Sequence, residues 1–523
     1  MKNIKKVSIG MMLFTVVALL FSSCTSTPEN LSLVPKETNL VATTNMLSIA
    51  QKGQLTDLSK FSLYKGFGAD IEKESKIMGE IMKNPFMTGI DYKSDFLLYA
   101  VKNEGKGDYM CVSMELSSGD KFTSFLKDLI IESGAPMKIE EKEAYKTISA
   151  DGTFVLAWDN DKSLLIFPQG YTRGGMNSMI EKLFSLEASD QITANKEFDD
   201  FYKNKKDLNL WMSTNFIDEV PMYSQLGAQM PSYFKDNFIS MNLGFEKNKI
   251  IMSAGLSPNS NMVKEMEKYN IYGDGFNSDL LKYFPKESFI TVSGSLNPKG
   301  YFKLMSDQPQ LSMVEDMFKK EMQMDMKEIV ESIKGSMLFS MYDFKATGSS
   351  SQPIPLMALV FDINGDDVMK NMMKKVPEEA YNEAGYYEMP IDASTSAYMI
   401  FNETTCLVTN DKSRIDLFKK GGNSSGNMSS SKLASNIKNN TMYAYMNADF
   451  DSYPQSVKNL MSMGGFGTDV MKTVNKFLLS VEMKMTDDYK GEYIITTGDD
   501  GTNSLYKILK AVDDNYMSLM QGF

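Results

Sequence analysis

The stretch "YFPKESFITVSGSLNPKG" at residues 283–300 decides the architecture, because "LVPKETNLVATTNMLSIAQKG" at residues 33–53 follows nearly the same order of residues. The triplet Pro-Lys-Glu stands at 35–37 and again at 285–287, and an apolar run of strand character follows each triplet. A motif that returns in this way indicates a duplicated domain if further segments match in the same order.

Four further pairs of segments do match in the same order, with offsets that drift by loop-sized amounts. In one pair, a strand-like run ends at Gly-Asp (119–120 and 365–366) and a helical pattern begins there, where Asp is a favoured N-cap. Two other pairs read as hairpins, because two apolar runs flank a polar turn. The sequence therefore predicts two tandem copies of one domain, at residues 33–257 and 283–500, joined by a linker at 258–282.

Each predicted copy contains strands, helices and hairpins in one order. Hairpins pair antiparallel, and the alternation in "SVEMKMTDDYKGEYIITT" (480–497) predicts a sheet with one wet face. Helices such as "KFTSFLKDLIIES" (121–133) have apolar residues three and four apart and are expected to cover the other face. The predicted fold class is α+β, two tandem copies of an antiparallel-sheet domain with helices packed on one face. An amphipathic helix is predicted at 501–523.

The N-terminus has the pattern of a secretory signal peptide at residues 1–23. Three lysines precede an apolar run from Val7 to Phe21, and small residues follow the run. This run is shorter than the about 20 residues that a membrane-spanning helix needs. "LFSSC" (20–24) resembles the lipobox of bacterial lipoproteins, which implies that Cys24 is lipidated and becomes the new N-terminus. Residues 24–32 are then a lipidated tether.

The lipobox also implies an address in the cell envelope. Thr25 stands after the cysteine where Asp would favour the inner membrane, so the lipoprotein pattern favours the outer membrane. The tether has no acidic cluster, and both the periplasmic and the outward-facing side stay open. The alternative interpretation is a membrane-spanning helix that ends at a stray cysteine.

The charge of the chain excludes several kinds of partner. The net charge is −12, and removing residues 1–23 deletes three lysines and no acid, which makes the mature chain −15. A nucleic acid would need a basic surface, so nucleic-acid binding is not expected. Arg173 and Arg414 are the two arginines, so a site of clustered guanidinium groups is excluded.

The chain contains no histidine and, after Cys24, two cysteines. The lack of histidine excludes Ser-His-Asp and Cys-His catalysis and histidine-ligated zinc. Cys111 and Cys406 stand at non-equivalent positions of the two predicted copies. We therefore expect two buried, inert thiols rather than a disulfide.

Three motifs suggest ligands, and each has a plainer explanation. Asp159, Asp161 and Ser163 alternate like the first half of a calcium loop, but Asp and Asn also favour hairpin turns. "GFGAD" (66–70) and "GFGTD" (465–469) each precede a helical pattern, which could bind phosphate or simply form a glycine turn. We predict no metal and no cofactor.

Methionine is unusually frequent, with 43 residues in the chain. The thioether is a soft ligand for Cu(I), but methionine is also a flexible core residue. A methionine-lined groove for an apolar or peptide partner is the favoured functional interpretation.

The lipobox, the length, the strand "VPKETNLVATTNM" (34–46) and its copy "FPKESFITVSGSL" (284–296) resemble the uncharacterised lipoproteins grouped as domain of unknown function 4836. The resemblance covers essentially the whole mature chain. It implies an envelope address and no known activity.

The sequence favours a non-enzymatic envelope lipoprotein over an enzyme, because no complete catalytic motif is present. Its partners are the membrane, through the lipid anchor, and a protein, peptide or cell-wall component. The alternative is a carboxylate-based hydrolase of envelope or glycan material, which would bring two carboxylates ~5 to 9.5 Å apart in one pocket.

Overall fold

The computed structural model describes residues 28–62, 73, 75–101, 109–150, 153–168, 176–215, 232–273, 275–306, 319–320, 325–345, 353–374, 380–382, 384–392, 395–422, 425–463, 477–487, 489–498 and 500–521. Two compact units form, unit 1 within residues 1–47 and 67–203 and unit 2 within residues 48–66 and 204–523. The predicted signal peptide, Cys24 and both glycine motifs lie outside the described residues.

Unit 1 is built on an antiparallel sheet. Its described strands are β1 (Leu40–Asn45), β2 (Asp95–Val101), β3 (Tyr109–Glu115), β4 (Glu140–Glu141), β5 (Lys146–Ala150), β6 (Phe154–Trp158) and β7 (Lys162–Pro168). Their order across the sheet is β1–β2–β3–β7–β6–β5–β4. Consecutive strands pair in much of this order, β2 with β3, β4 with β5, β5 with β6 and β6 with β7.

Unit 2 contains a wider antiparallel sheet. Its described strands are β8 (Leu208–Ser213), β9 (Phe238–Glu246), β10 (Lys249–Ser257), β11 (Ile290–Ser295), β12 (Ile333–Lys345), β13 (Ile354–Ile363), β14 (Tyr381–Asn382), β15 (Tyr386–Pro390), β16 (Ser396–Phe401), β17 (Thr405–Thr409), β18 (Met442–Asn447), β19 (Ser480–Asp487) and β20 (Lys490–Thr496). Their order is β8–β9–β10–β20–β19–β18–β11–β12–β13–β17–β16–β15–β14. The α+β class is therefore confirmed, with antiparallel sheets.

Helices connect these strands. The α-helices with described bounds are α1 (Met46–Lys52), α2 (Lys76–Lys83), α3 (Gly119–Ser133), α4 (Met176–Phe184), α5 (Lys196–Lys203), α6 (Ser260–Tyr269), α7 (Pro298–Ser306), α8 (Met326–Ser332), α9 (Asp367–Met373), α10 (Lys412–Lys419), α11 (Leu433–Asn439), α12 (Gln455–Met463) and α13 (Ser504–Gln521). Short 3-10 helices lie at Glu29–Leu33, Leu58–Lys60, Pro85–Thr88, Ala188–Asp190, Ile192–Ala194, Ser232–Phe234, Ser278–Tyr283, Met428–Ser430 and Phe450–Ser452. None of the described helices is both long and apolar enough to cross a membrane.

The core of unit 2 lies between one face of its sheet and a layer of short helices. Leu338, Val360 and Tyr443 point from the sheet into this layer and are buried. They meet Ile415 of α10 and Ile437 of α11, together with the 3-10 helix Ser278–Tyr283. Burying an aliphatic side chain of this size contributes about 1.5–3 kcal/mol, so this layer is a main source of stability.

The start of the described chain is more ordered than the predicted tether. Asn30, Leu31 and Leu33 are buried within the 3-10 helix Glu29–Leu33. The Asn30 amide donates to the carbonyl oxygens of Asp95 (2.8 Å) and Ser113 (3.3 Å). The predicted tether, residues 24–32, therefore includes residues that the buried Asn30 amide fixes in the fold.

The predicted linker at 258–282 is folded. Asn259 caps α6 by accepting hydrogen bonds from the backbone N–H groups of Asn261 and Met262, both at 2.8 Å. Asn270 ends α6 with a φ of 47°, a conformation that Asn tolerates better than most residues. Local sequence signals of polar residues thus produced a capped helix rather than an extended connection.

The amphipathic helix predicted at 501–523 is present as α13. Leu505, Ile508 and Leu509 of this helix pack against Phe245 and Ile250 of the β9–β10 hairpin. The turn of that hairpin is held as well, because the Asn248 side-chain oxygen accepts from Gly501 N and Lys507 Nζ, both at 3.1 Å. The C-terminal helix therefore completes unit 2.

Candidate functional site

Eight adjacent strands of unit 2 present an apolar face that we call the methionine face. Because side chains alternate along a strand, three positions per strand point to this face, and the strand registers align them in three rows. The face is formed by Met241, Leu243 and Phe245 of β9, Ile250, Met252 and Ala254 of β10, Gly491, Tyr493 and Ile495 of β20, Val481, Met483 and Met485 of β19, Met442, Ala444 and Met446 of β18, Ile290, Val292 and Gly294 of β11, Met337, Phe339 and Met341 of β12, and Met357, Leu359 and Phe361 of β13.

Several side chains of the methionine face are partly exposed. Met241, Val292, Met337, Met446 and Tyr493 are between 36% and 42% exposed. At one end Leu505 of α13 covers the face, and at the other end α9 contributes Met369 to a cluster with Phe361. Eight strands at 4.8 Å spacing and three rows give a surface of roughly 34 by 14 Å. The whole face thus measures roughly 500 Å², and its exposed part is smaller because α13 and α9 cover the two ends; exposed apolar patches of a few hundred Å² are often functional.

The opposite face of the same strands is the more polar one, although helices cover it. Thr291, Ser293 and Ser340 are buried there. Glu482 of β19 also points to this side, where its Oε2 accepts from Tyr443 Oη (2.9 Å) and Asn436 Nδ2 (3.0 Å). The sequence analysis expected helices to cover the apolar face, and around β18 and β19 the structure shows the reverse. The hydrogen bonds from Tyr443 and Asn436 compensate the Glu482 carboxylate for the water contacts that it loses under the helix.

An apolar cavity of about 360 Å³ adjoins the methionine face. Ile239 and Leu256 line it, and each stands one alternate position beyond the face on β9 or β10. Ala254 belongs to both the face and the cavity, while Phe234 and Tyr489 close its sides. The two features therefore form one continuous apolar surface with a depression at one edge.

A second, polar cavity of about 460 Å³ lies beside the N-terminus of α10. Arg414 of α10 contributes its guanidinium, which stacks 4.9 Å from the ring centre of Tyr342. Its Nε donates to Asp411 Oδ2 at 3.3 Å, and Tyr342 Oη donates to the same oxygen at 3.0 Å. Lys286 and Glu287, which are exposed, also line the cavity. Stacking and the ion pair hold the guanidinium in one orientation.

The pKa of Asp411 lies below its usual range. Burial alone would raise this pKa, but hydrogen bonds from Ser413 and Tyr342 and the charge of Arg414 outweigh burial. Burial raises the pKa of Tyr342, and the neighbouring Asp411 charge adds to the effect. Asp411 is thus an ionised structural group that also caps α10. A general acid would need the opposite shift, so Asp411 does not supply the acid of a glycan hydrolase.

The sequence model of the Domain of unknown function DUF4836 matches residues 30–505. The chain belongs to this family. No curated protein matches the chain. Two solved structures show distant likeness. "Structure of crystal form III of TP0453" is 12% identical with a TM-score of 0.27 and covers 45% of this chain and 81% of that chain. "Structure of crystal form I of TP0453" is 10% identical with a TM-score of 0.26 and covers 46% and 84%. Identities and TM-scores this low support no inference about this chain.

In this DUF4836 protein, the aspartates proposed for calcium form a hairpin turn. Asp159 Oδ1 accepts from the backbone N–H groups of Asp161 (2.9 Å) and Lys162 (2.8 Å), and Ser163 is buried with its hydroxyl toward the Met114 carbonyl. No group of three acidic or cysteine side chains able to hold a metal occurs within the described residues. The structure thus places Asp159 in the role of a turn residue.

Added calcium is expected to leave the melting temperature of the mature protein unchanged, because Asp159 Oδ1 is already engaged by two backbone donors. A site that bound calcium would stabilise the folded chain in proportion to the logarithm of calcium concentration. Differential scanning calorimetry with calcium and with chelator measures this. A rise of several degrees that grows with calcium and is absent in Asp159→Asn would contradict the turn interpretation.

The two cysteines predicted to be buried are buried and free. Cys111 lies on β3 and Cys406 on β17. Burial raises the pKa of Cys406 to about 12 and that of Cys111 further. Thiols of this kind carry almost no thiolate at neutral pH, so neither is a nucleophile.

Sequence reasoning predicted a methionine-lined groove, but it located neither the methionine face nor the polar cavity. Arg414 had one signal, since arginine is so rare in this chain, and it lines a cavity; Arg173 lies outside the described residues. The methionine face had a stronger signal in the alternation of Val481, Met483 and Met485, but that pattern does not say which face helices cover. In the methionine-rich stretch 318–344, residues 318 and 321–324 lie outside the described residues.

Proposed function

We propose that this protein is a lipid-anchored, non-enzymatic protein of the cell envelope that binds the acyl chains of a lipid or fatty acid on the methionine face. The partly exposed side chains of that face carry the proposal, because Val292, Met446 and Tyr493 leave apolar surface in water. The 43 methionines support it, since flexible thioether side chains adapt to ligands of varied shape.

The paired backbone groups of the methionine face favour an acyl chain over an extended peptide as its ligand. All of its backbone N–H and C=O groups belong to strands paired on both sides, so they are engaged within the sheet. An extended peptide lying on the face would bury its own amides without partners, at a cost of about 1–3 kcal/mol for each group. An acyl chain has no such groups. The adjoining cavity offers space for the end of a chain at Ala254 and Leu256.

A second copy of this chain fits less well. A stable protein interface buries about 800 Å² on each partner, whereas the face measures roughly 500 Å². The lipobox adds an independent reason for acyl chains, because a lipoprotein anchored through Cys24 stays close to membrane lipid.

The test uses the mature chain with Cys24→Ser, so that its own lipid does not interfere, and the fluorescent fatty acid cis-parinaric acid. We expect saturable binding. Val292→Lys should weaken it at least tenfold, because an ammonium placed at the centre of an apolar contact is desolvated by the ligand. Val292→Thr keeps the shape of the side chain and should weaken it less. Titration by fluorescence measures both, and thermal melts verify folding.

Val512→Lys is the matched control. Val512 is 47% exposed on α13, close to the 42% of Val292, and it lies off the methionine face. Equal weakening in both lysine variants, or no effect of Val292→Lys, would contradict the proposal. Displacement of the fatty acid by an amphipathic helical peptide rather than by palmitate would show that a protein helix is the natural occupant.

The lipid anchor and the location of the protein are proposed from the sequence. We propose that residues 1–23 are removed, that Cys24 carries the lipid and that the protein resides at the outer membrane. The match to a lipobox supports the address. The hydrolase alternative is not carried further, because the one shifted carboxyl pKa in the polar cavity is lowered.

We further propose that residues 33–257 and 283–500 are two copies of one domain. The pairing β2–β3–β7–β6–β5–β4 has the same form as β12–β13–β17–β16–β15–β14. Pro35 forms an isolated bridge with Gln191, and Pro285 forms one with Asn427. A crystal structure in which Pro35 and Pro285 occupy different places in the two strand orders would contradict this proposal.

A further inference from the structure

The polar cavity of unit 2 is lined by charged groups of both signs whose hydrogen-bonding capacity is not fully used within the described residues. Arg414 uses its Nε for Asp411, and no hydrogen bond from its two terminal nitrogens occurs there. The Lys286 ammonium and the Glu287 carboxylate likewise form no ion pair in the described part of unit 2. All three side chains line the same cavity.

These groups select a ligand by charge. Asp411 offsets Arg414, which leaves one cation and the carboxylates of Glu287 and Asp343 around the cavity. A phosphate with two charges would be repelled by these carboxylates, and a neutral apolar ligand would leave charges unpaired. A guanidinium held in one orientation by Tyr342 suits a planar carboxylate, because its paired N–H groups match the two oxygens.

We propose that this cavity binds a zwitterionic ligand of the short-peptide class, whose carboxylate meets Arg414 and Lys286 and whose ammonium meets Glu287. A volume of about 460 Å³ suits a ligand of a few residues. This site is separate from the methionine face, since none of its lining residues belongs to that face. The proposal does not depend on the acyl-chain proposal.

The experiment is isothermal titration calorimetry of the mature Cys24→Ser chain with alanyl-alanine, its N-acetyl form and its C-terminal amide. We expect the free dipeptide to bind and each blocked form to bind at least tenfold more weakly, because one charge pair is lost in each. Arg414→Gln should remove the preference for the free dipeptide over its amide. Glu287→Gln should remove the preference for the free dipeptide over its N-acetyl form. Each variant should leave the other preference intact.

Lys420→Gln is the control, because Lys420 is an exposed lysine at the end of α10 that does not line the cavity. Arg414→Gln could also disturb Tyr342 and Asp411, so Lys286→Gln serves as a second variant; Lys286 is exposed and its side chain has no described partner. Lys286→Gln should weaken binding of the free dipeptide and leave binding of the amide unchanged. Absence of dipeptide binding, equal binding of the blocked forms, or equal weakening by Lys420→Gln overturns the proposal.

Discussion

Replacing Cys24 with Ser is expected to move the protein from the membrane fraction to the soluble fraction while its fold is unchanged. The reason is that the acyl chains of a lipoprotein are attached at this cysteine, and each buried methylene contributes ~0.8 kcal/mol to membrane attachment. The described core residues of both units all lie after residue 28, so no change of fold is expected. Fractionation of envelopes and labelling with radioactive palmitate measure the loss of the anchor, and a thermal melt of the soluble chain measures its fold.

Two outcomes would contradict this expectation. If the Cys24→Ser chain sediments with membranes as the full precursor, the run from Val7 to Phe21 is a membrane-spanning helix. If the mature Cys24→Ser chain still sediments, the methionine face can hold it there, and adding Val292→Lys should then release it. Cys111→Ser is the matched control, because it removes a buried thiol and should leave membrane attachment unchanged.

Local patterns predicted much of the fold because they depend on near neighbours. Alternation placed β18, β19 and β20, and the amphipathic pattern placed α13, since these periods are imposed by backbone geometry. The start of α3 shows the limit. Asp120 was expected at its N-cap, but the helix begins two residues earlier, at Gly119, and Ser118 is the N-cap that accepts from Lys121 N at 3.3 Å.

The candidate sites could not be predicted, because they depend on contacts between distant residues. The alternation of Glu482 with Met483 separates two faces, but only the hydrogen bonds from Tyr443 and Asn436 show that the glutamate lies under a helix. Lys286 and Arg414 meet around one cavity although no motif joins them in the sequence.

The last prediction tests how β12 obtains the register that places Met337 and Met341 on the methionine face. The register shifts between Ile333 and Met337, and Gly335 lies in this irregularity with a φ of 140°. A Cβ at residue 335 would lie 2.2 Å from the Leu296 carbonyl oxygen. Because the obstacle is backbone, it cannot rotate away. A shift of β12 by one residue would turn its apolar side chains to the helix-covered face.

Gly335→Ala is therefore expected to destabilise unit 2 by about 3 kcal/mol, the cost of strained backbone at such a φ together with a displaced carbonyl. Gly294→Ala is the matched control on the neighbouring strand β11. Its Cβ would have no contact closer than 3.8 Å, so it should leave stability unchanged or raise it by about 0.5–1 kcal/mol. Urea unfolding of the mature chain, with cis-parinaric acid binding measured on the folded fraction, compares the two. Equal stability of both alanine variants would mean that Gly335 does not set the register, and the methionine face would then need another explanation for its alignment across β11 and β12.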